Sequence, residues 1–354
     1  MTFKIKSLSC ALMLFLSMGS YAEDEGSDWL YTVQEGDSVW TLCKAYVTDP
    51  LCWINLVEHN QIKKPKYLPP GSTIKLPRAW LKLQGTTAKV ISVNGEVLLH
   101  EKAKNTQQPL ILNKELAQGD QVETRIGSAT LKFMDGSKLQ LASHTLIDMQ
   151  TLLYSDYQQR IDTRINLARG RVRALVEKIK TQGSHYEIIT PAAIAAVRGT
   201  DFRVASVGDN NQVMITEVVQ GRVNVANDFG EQQLPAGFAI KAVVGQALPK
   251  PVSLLPRVKM IESSSKKKSV VFPMVFNWQA MKGAVTYKVQ LFKVQETEKL
   301  LLESQLMKPS YSIEKLPEGE YLLKIRAQDQ WGIEGFDRRI KLNLKKNPAF
   351  STEE

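Results

Sequence analysis

Any chemistry this chain performs should show first in its histidines, cysteines and clustered acids. The four histidines, His59, His100, His144 and His185, are scattered, with no His-x-His or His-Glu-x-x-His pair. That spacing offers no ligand set for a zinc peptidase. There is no Gly-x-Ser-x-Gly elbow and no phosphate-binding Walker loop, and Asp135-Gly136-Ser137 reads as a hairpin turn. Two carboxylates for glycoside hydrolysis meet only in a fold and leave no spacing to read. The expectation is a chain with no catalytic residues, no metal and no cofactor. Of the three cysteines, Cys10 lies near the start, which leaves Cys43 and Cys52 as an even pair. They are either bonded to each other or are two core thiols.

Which of these holds depends on the compartment. Lys4 and Lys6 precede an apolar run from Leu8 to Met18 and a small-x-small triplet at Ser20-Tyr21-Ala22. This is the pattern of a secretory signal peptide over residues 1–22. The mature chain is then expected in the periplasm or outside the cell, where a Cys43–Cys52 disulfide is favoured. Loss of the leader takes the net charge from +10 to +8. The remaining charge is uneven: residues 23–78 carry −2, residues 79–250 carry +4 and residues 251–354 carry +6. Export makes nucleic acid a poor partner for this basic excess; an anionic wall or membrane surface, or plain solvation, fits it better.

At 354 residues, with 43% apolar and 23% charged side chains, the chain is expected to form two or three folded domains. The first is small. Tyr31–Gln34 alternates as a strand, Glu35-Gly36-Asp37-Ser38 is a turn, and Asp37 or Ser38 is placed to cap a helix. Val39, Leu42, Cys43 and Tyr46 mark one helical face. Asp49-Pro50 reads as a second cap and first helical position. Trp53, Leu56 and Val57 form the next apolar stripe, and Ser72–Pro77 closes with a strand. So small a βααβ unit gains from a staple, and closing a loop of about ten residues is worth roughly 2.5–3 kcal/mol.

"YTVQEGDSVWTLCKAY", "LCWINLVEHN" and "YLPPGSTIKLP" together resemble a LysM domain, assigned to residues 30–78. The resemblance implies binding of N-acetylglucosamine-containing glycan, chiefly peptidoglycan or chitin. It also implies a groove between the loop after the first strand and the loop after the second helix. By position these loops hold Gly36, Asp37, Ser38 and Val39, and Asn60, Gln61 and Ile62. Each of these residues also has a structural role open to it: Gly36 in the turn, Asp37 at the cap, Ile62 in the small core.

From about residue 86 the period changes from helical to alternating. Short segments such as "AKVISV", "SATLKF", "RINLA", "DFRVAS" and "VMITEVV", punctuated by Gly, Asn, Asp or Pro, predict an all-β domain. Gly-Arg-Val opens a strand twice, at 170–172 and 221–223. Ala-rich 192–197 suits either a helical turn or a closely packed strand, and Arg198 is expected to be clamped, with Asp201 as the nearby carboxylate. "LAQGDQVETRIGSATLKFMDGSKLQLASHT", "NLARGRVRALV", "YEIITPAAIAAVRGTDFRV" and "TEVVQGRVNV" resemble a FecR-type domain over residues 85–245. That family is named for envelope regulators that relay a receptor signal to a sigma factor. Here a leader and a sugar-binding module stand where such regulators carry a cytoplasmic segment and a membrane span, so the resemblance implies the fold and not the relay.

Residues 249–269, with three prolines and a Ser/Lys run, read as an exposed linker. Beyond it, "FNWQAMKGAVTYKVQLFK", "GEYLLKIRAQDQWGIEG" and "RRIKLNL" predict strands, with Trp278, Tyr287 and Tyr321 as core aromatics. These resemble a fibronectin type III domain over residues 270–346, an immunoglobulin-like sandwich. The expected whole is a mainly β, multi-domain, wall-attached scaffold with peptidoglycan as its partner and β modules for contact with other envelope proteins. The alternative is a periplasmic sensor of an envelope signalling system.

Overall fold

The computed structural model describes residues 28–77, 80–155, 160–178, 184–261, 272–294 and 298–344. The leader assigned to residues 1–22 and the Lys266–Lys268 run lie outside the described residues. No described helix is long and apolar enough to cross a membrane. The chain is mostly strand and divides into two compact units, one ending at Leu81 and one beginning at Lys82.

The first unit is the expected βααβ. β1 (Trp29–Thr32) pairs antiparallel with β2 (Thr73–Leu76), with Tyr31 opposite Ile74. Between them lie α1 (Val39–Tyr46) and α2 (Cys52–His59). Ser38 caps α1: its hydroxyl accepts from Thr41 N–H at 3.1 Å, and the Thr41 hydroxyl accepts from Ser38 N–H at 2.8 Å. This reciprocal box settles the capping role on Ser38 rather than Asp37. Val39, Leu42, Cys43, Leu56 and Ile74 bury together in one core, and Cys43 and Cys52 are bonded with Cα atoms 5.8 Å apart. α2 starts two residues later than the Asp49-Pro50 pair predicts. Asp49 instead ties down the approach to it, accepting from Leu51 N–H (2.8 Å) and from the Asn55 side-chain amide.

The second unit holds one sheet of sixteen strands, built around the long strand Arg160–Leu175. That strand pairs antiparallel with Thr145–Ser155 and with Asp201–Val207, and parallel with His185–Ile189. Period two puts Val172, Ala174, Phe202 and Val204 on the face that forms the main core. Ala192–Val197 takes the packed-strand option: Ile194–Val197 pairs with both His185–Ile189 and Arg222–Asn227. The two sequence motifs of this region meet. Gly221, at φ +88°, lies so close to Gly199 that an added Cβ would stand 2.8 Å from the Gly199 carbonyl oxygen, and the Thr200 hydroxyl donates to Arg222 O (2.9 Å). Only glycine satisfies both the backbone angle and the close approach.

The C-terminal strands form a four-stranded sheet, Glu298–Leu306, Thr286–Val294, Gly319–Gln328 and Arg338–Leu344 in spatial order, and a two-stranded one, Met274–Asn277 with Ser310–Ile313. Trp278, Tyr287, Val289, Leu291, Tyr321, Leu323 and Ile325 share their core. Trp278 and Tyr287 meet edge to face at 5.4 Å, and Tyr321 donates its hydroxyl proton to Pro317 O (2.9 Å). This bond ties Gly319–Gln328 to the loop that precedes it.

Alternation turns Lys288, Gln290, Lys324 and Arg326 to the opposite face of that sheet, yet all four are buried. The cause is the large sheet. Arg171, Arg173, Arg203 and Glu217 project from its second face and interlock with this polar face and with the segment Ile333–Asp337. Arg173 grips Asp201 through Nε and Nη2 (2.9 and 2.8 Å) and Asp337 through Nη1 (2.7 Å). Arg171 pairs with Glu217 (2.8 Å) and Glu334 (3.3 Å), Lys288 with Glu334 (2.8 Å), and Arg326 with Asp337 (2.9 Å) and with Glu334. Arg203, 1% exposed, pairs with Glu217 and donates to the carbonyls of Glu334 (2.7 Å) and Gly335 (2.9 Å). Burial opposes ionisation of Glu334, but Arg171, Arg326, Lys288 and Arg203 outweigh it and hold the carboxyl well below its usual range. Asp337 is likewise buried and held low by Arg326, Arg173 and Arg203.

Two expectations are corrected by this packing. Asp201 is taken by Arg173, and Arg198 is exposed instead of sitting in an apolar setting. The described part of the expected linker, residues 249–261, is not exposed along its length. Val252–Ser253 adds a strand to the large sheet, Leu254 joins a second small core with Ala205, Ile215 and Ile333, and Val258 is buried among the C-terminal aromatics. Its prolines interrupt pairing, but its aliphatic residues find apolar partners on both sides.

Candidate functional site

The first unit places the loop after β1 beside the loop after α2. The tie is a single backbone bond: Val39 N–H donates to Pro65 O at 3.1 Å. Val33 N–H donates to Ser72 O and Gly71 N–H to Val33 O, both at 2.8 Å, so the stretch before β2 closes the same end of the unit. Three segments therefore converge on one rim.

Most of the seven residues expected here use their side chains to build that rim. Asp37 Oδ2 accepts from Gln34 N–H (2.7 Å) and from the Tyr31 hydroxyl (2.8 Å), which folds the first loop back on β1. Burial and this bond to Asp37 push the Tyr31 hydroxyl well above its ordinary pKa. Ser38 is spent on the cap and Val39 is buried in the core. Asn60 bridges α2 to β2: its amide donates to Leu56 O (3.1 Å) and Lys75 O (2.8 Å), and its Oδ1 accepts from Lys75 N–H (2.6 Å). Ile62 packs half-buried on the core.

Gly36 and Gln61 are exposed, and both have left-handed backbones, at φ +87° and +53°. At Gln61 the reason is the end of α2. Gln61 N–H donates to Glu58 O (3.1 Å) and Ile62 N–H to Val57 O (2.9 Å), the paired bonds of a Schellman stop. Among the described residues, the backbone N–H groups of Gly36, Lys63 and Lys64 donate to no other group of the chain. The rim therefore presents backbone donors, held in place by committed side chains.

These observations are matched by comparison with known families. Residues 31–77 match the LysM domain family. The LysM unit thus runs from within β1 to just past β2. Residues 120–224 match the family described as FecR protein, which covers the middle of the large sheet. Two crystal structures of a candidate anti-sigma factor from Parabacteroides distasonis are similar to this chain, each at 17% identity. Their TM-scores are 0.32 and 0.31, over 38% and 37% of this chain. The chain spans 59% and 57% of the length of those two chains. No curated protein matches it.

Sequence reasoning located both loops of the LysM unit but missed Pro65 as the carbonyl that joins them, and Tyr31 as the partner of Asp37. The sequence gives no sign of either, because each bond spans segments whose approach only the fold decides. Elsewhere, His59 meets Asp28 (3.1 Å), His100 meets Glu123 (3.5 Å) and His185 lies 4.0 Å from Glu187. Among the described residues, no group of three or more His, Cys, Asp or Glu side chains could hold a metal ion.

Proposed function

We propose that this chain is a non-catalytic, exported protein of the cell envelope whose LysM unit holds peptidoglycan. On this reading the rim formed by Gly36–Val39 and Asn60–Pro65 receives the acetamido groups of N-acetylglucosamine. The observation that carries it is the pair of joined loops with free backbone N–H groups in a unit that matches the LysM family. An acetamido carbonyl accepts from such donors without any charge, which suits a module of net charge −2. The recognition is by backbone, so the named side chains act by holding the loops and not by touching sugar.

The remainder of the chain serves as a protein-contact body. The FecR match and the two C-terminal sheets, which we read as fibronectin type III-like, support this part of the proposal. Co-sedimentation of the full chain with insoluble peptidoglycan tests attachment, and retention of the chain in the pellet is expected. A chain that stays wholly in the supernatant contradicts the proposal. The FecR match also favours a second reading, a periplasmic sensor. Crosslinking in cells separates the two: wall-bound structural partners support the scaffold, and a receptor or membrane signalling protein supports the sensor.

A further inference from the structure

The second unit carries an exposed tryptophan on a turn that is braced from every side. Asp329 Oδ1 accepts from Trp331 N–H and from Ile333 N–H, both at 2.9 Å. Asp329 N–H donates to Ile333 O (3.0 Å), and Gly332 N–H to Asp329 O (3.1 Å). Gly332 O in turn accepts from the Gln328 amide (3.0 Å) and from Arg171 of the large sheet (2.9 Å). Such a turn has little freedom, yet the Trp331 side chain it presents is 50% exposed. A large aromatic held rigid and left open to water is the usual anchor of a protein contact.

Trp331 lines a groove of about 320 Å³ whose other walls include Ile333, Val243, Val252, Lys241 and Lys250. The aliphatic walls come from the edge of the large sheet, where Phe238–Val243 pairs with Val252–Ser253. Lys241 and Lys250 are the charged groups on the groove. Among the described residues neither side chain has an ion-pair or hydrogen-bond partner. This sets them apart from the cations of the buried layer in the same unit: Arg171, Arg173, Arg203, Lys288 and Arg326 are all paired with carboxylates.

We infer that this groove is a docking site for an extended acidic peptide segment of a partner protein, with an apolar side chain of the peptide against Trp331 and carboxylates at Lys241 and Lys250. Charge complementarity selects the sign: two unpaired ammonium groups beside an apolar wall favour an occupant that brings carboxylates and aliphatic surface together. A glycan fits less well. Sugar hydroxyls need several donors and acceptors in fixed positions, and the wall around Trp331 is mainly aliphatic, with Gln246 as its one amide side chain. The inference rests on the reading of the second unit as a protein-contact body and is independent of the glycan rim.

The test uses the full chain and fluorescein-labelled decapeptides in which Glu alternates with Leu, Val or Phe, followed by anisotropy at low and high salt. At least one acidic peptide is expected to bind, with affinity falling about tenfold or more in Trp331→Ala and in Lys241→Glu/Lys250→Glu, and falling as salt rises. Both variants alter exposed or half-exposed side chains, and an unchanged melting curve confirms that each is folded. Equal binding by the folded variants overturns the inference. So does equal or tighter binding of peptides with Lys in place of Glu, an absence of binding by every acidic peptide, or displacement of the peptide by N-acetylglucosamine hexamer. Co-sedimentation with peptidoglycan, measured on the same variants, is expected to be unchanged, so failure at the groove is distinguished from failure at the LysM rim.

Discussion

Asp37 and Asn60 occupy the two loops that a sugar would touch, and both are committed to the chain itself. Asn60 makes three bonds that tie α2 to β2. At about 1 kcal/mol for each bond, Asn60→Ala should destabilise the LysM unit by about 2–3 kcal/mol, read from chemical denaturation of the full chain. Loss of glycan binding in that variant would report unfolding as much as contact, so it is the wrong probe of the site. The disulfide has a simpler expectation. Cys43→Ala/Cys52→Ala removes a link across nine positions and should cost the same unit about 2.5–3 kcal/mol, with no change in the melting of the second unit. These residues show what was legible. The cysteine pairing was readable from the even count left beyond the expected leader and from two helices expected to pack. The side-chain duties of Asp37 and Asn60 were hidden, because a polar residue in a loop looks the same whether it faces a ligand or holds the loop.

At the level of elements, the period-two strands were readable where one face is apolar and were misleading where both faces are covered. Arg203 lies on the face of Asp201–Val207 opposite Phe202 and Val204. It is buried because Glu334 and Asp337 arrive from a segment more than 130 residues away. Arg198, the arginine that stood out beside Gly199, is the exposed one. Removing one partner of a buried charge pair leaves the other unpaired, and this costs about 3–5 kcal/mol. Arg203→Met and Glu217→Gln should therefore each lower the stability of the second unit by about that amount. The double variant should lose less than the sum of the two single losses, because each single change already breaks the same pair; thermal unfolding of all three chains measures this. The described part of the expected linker, residues 249–261, is tied down by apolar burial instead. Leu254 and Val258 had apolar surface to cover on either side, and the short stretch between them had no need to extend.

Across the second unit, the large sheet and the C-terminal sheets are expected to unfold together, since their shared layer is charged, buried and paired. Its pH dependence has a definite sign. Glu334 and Asp337 are held below their ordinary values when folded, so their contribution is fully present above the unfolded carboxylate range of about 3.9–4.3 and is lost as pH falls below it. Melting of this unit should be flat in that contribution from pH 7 to pH 5 and should drop steeply below about pH 4. A steep loss already between pH 6 and pH 5 would mean that the carboxylates are not paired as described. The LysM unit poses the central question of the molecule, which is whether its glycan is recognised by backbone. Gly36→Asn addresses it: asparagine tolerates the left-handed angle, nothing lies within 4 Å of the added Cβ, and the new side chain would stand where a sugar would lie. The most direct measurement is a titration of the isotope-labelled full chain with N-acetylglucosamine hexamer, followed by amide NMR. The account expects shifts concentrated at the amides of Gly36, Lys63 and Lys64, lost in folded Gly36→Asn. No shifts in the LysM unit, or the same shifts at the same affinity in that variant, would contradict it.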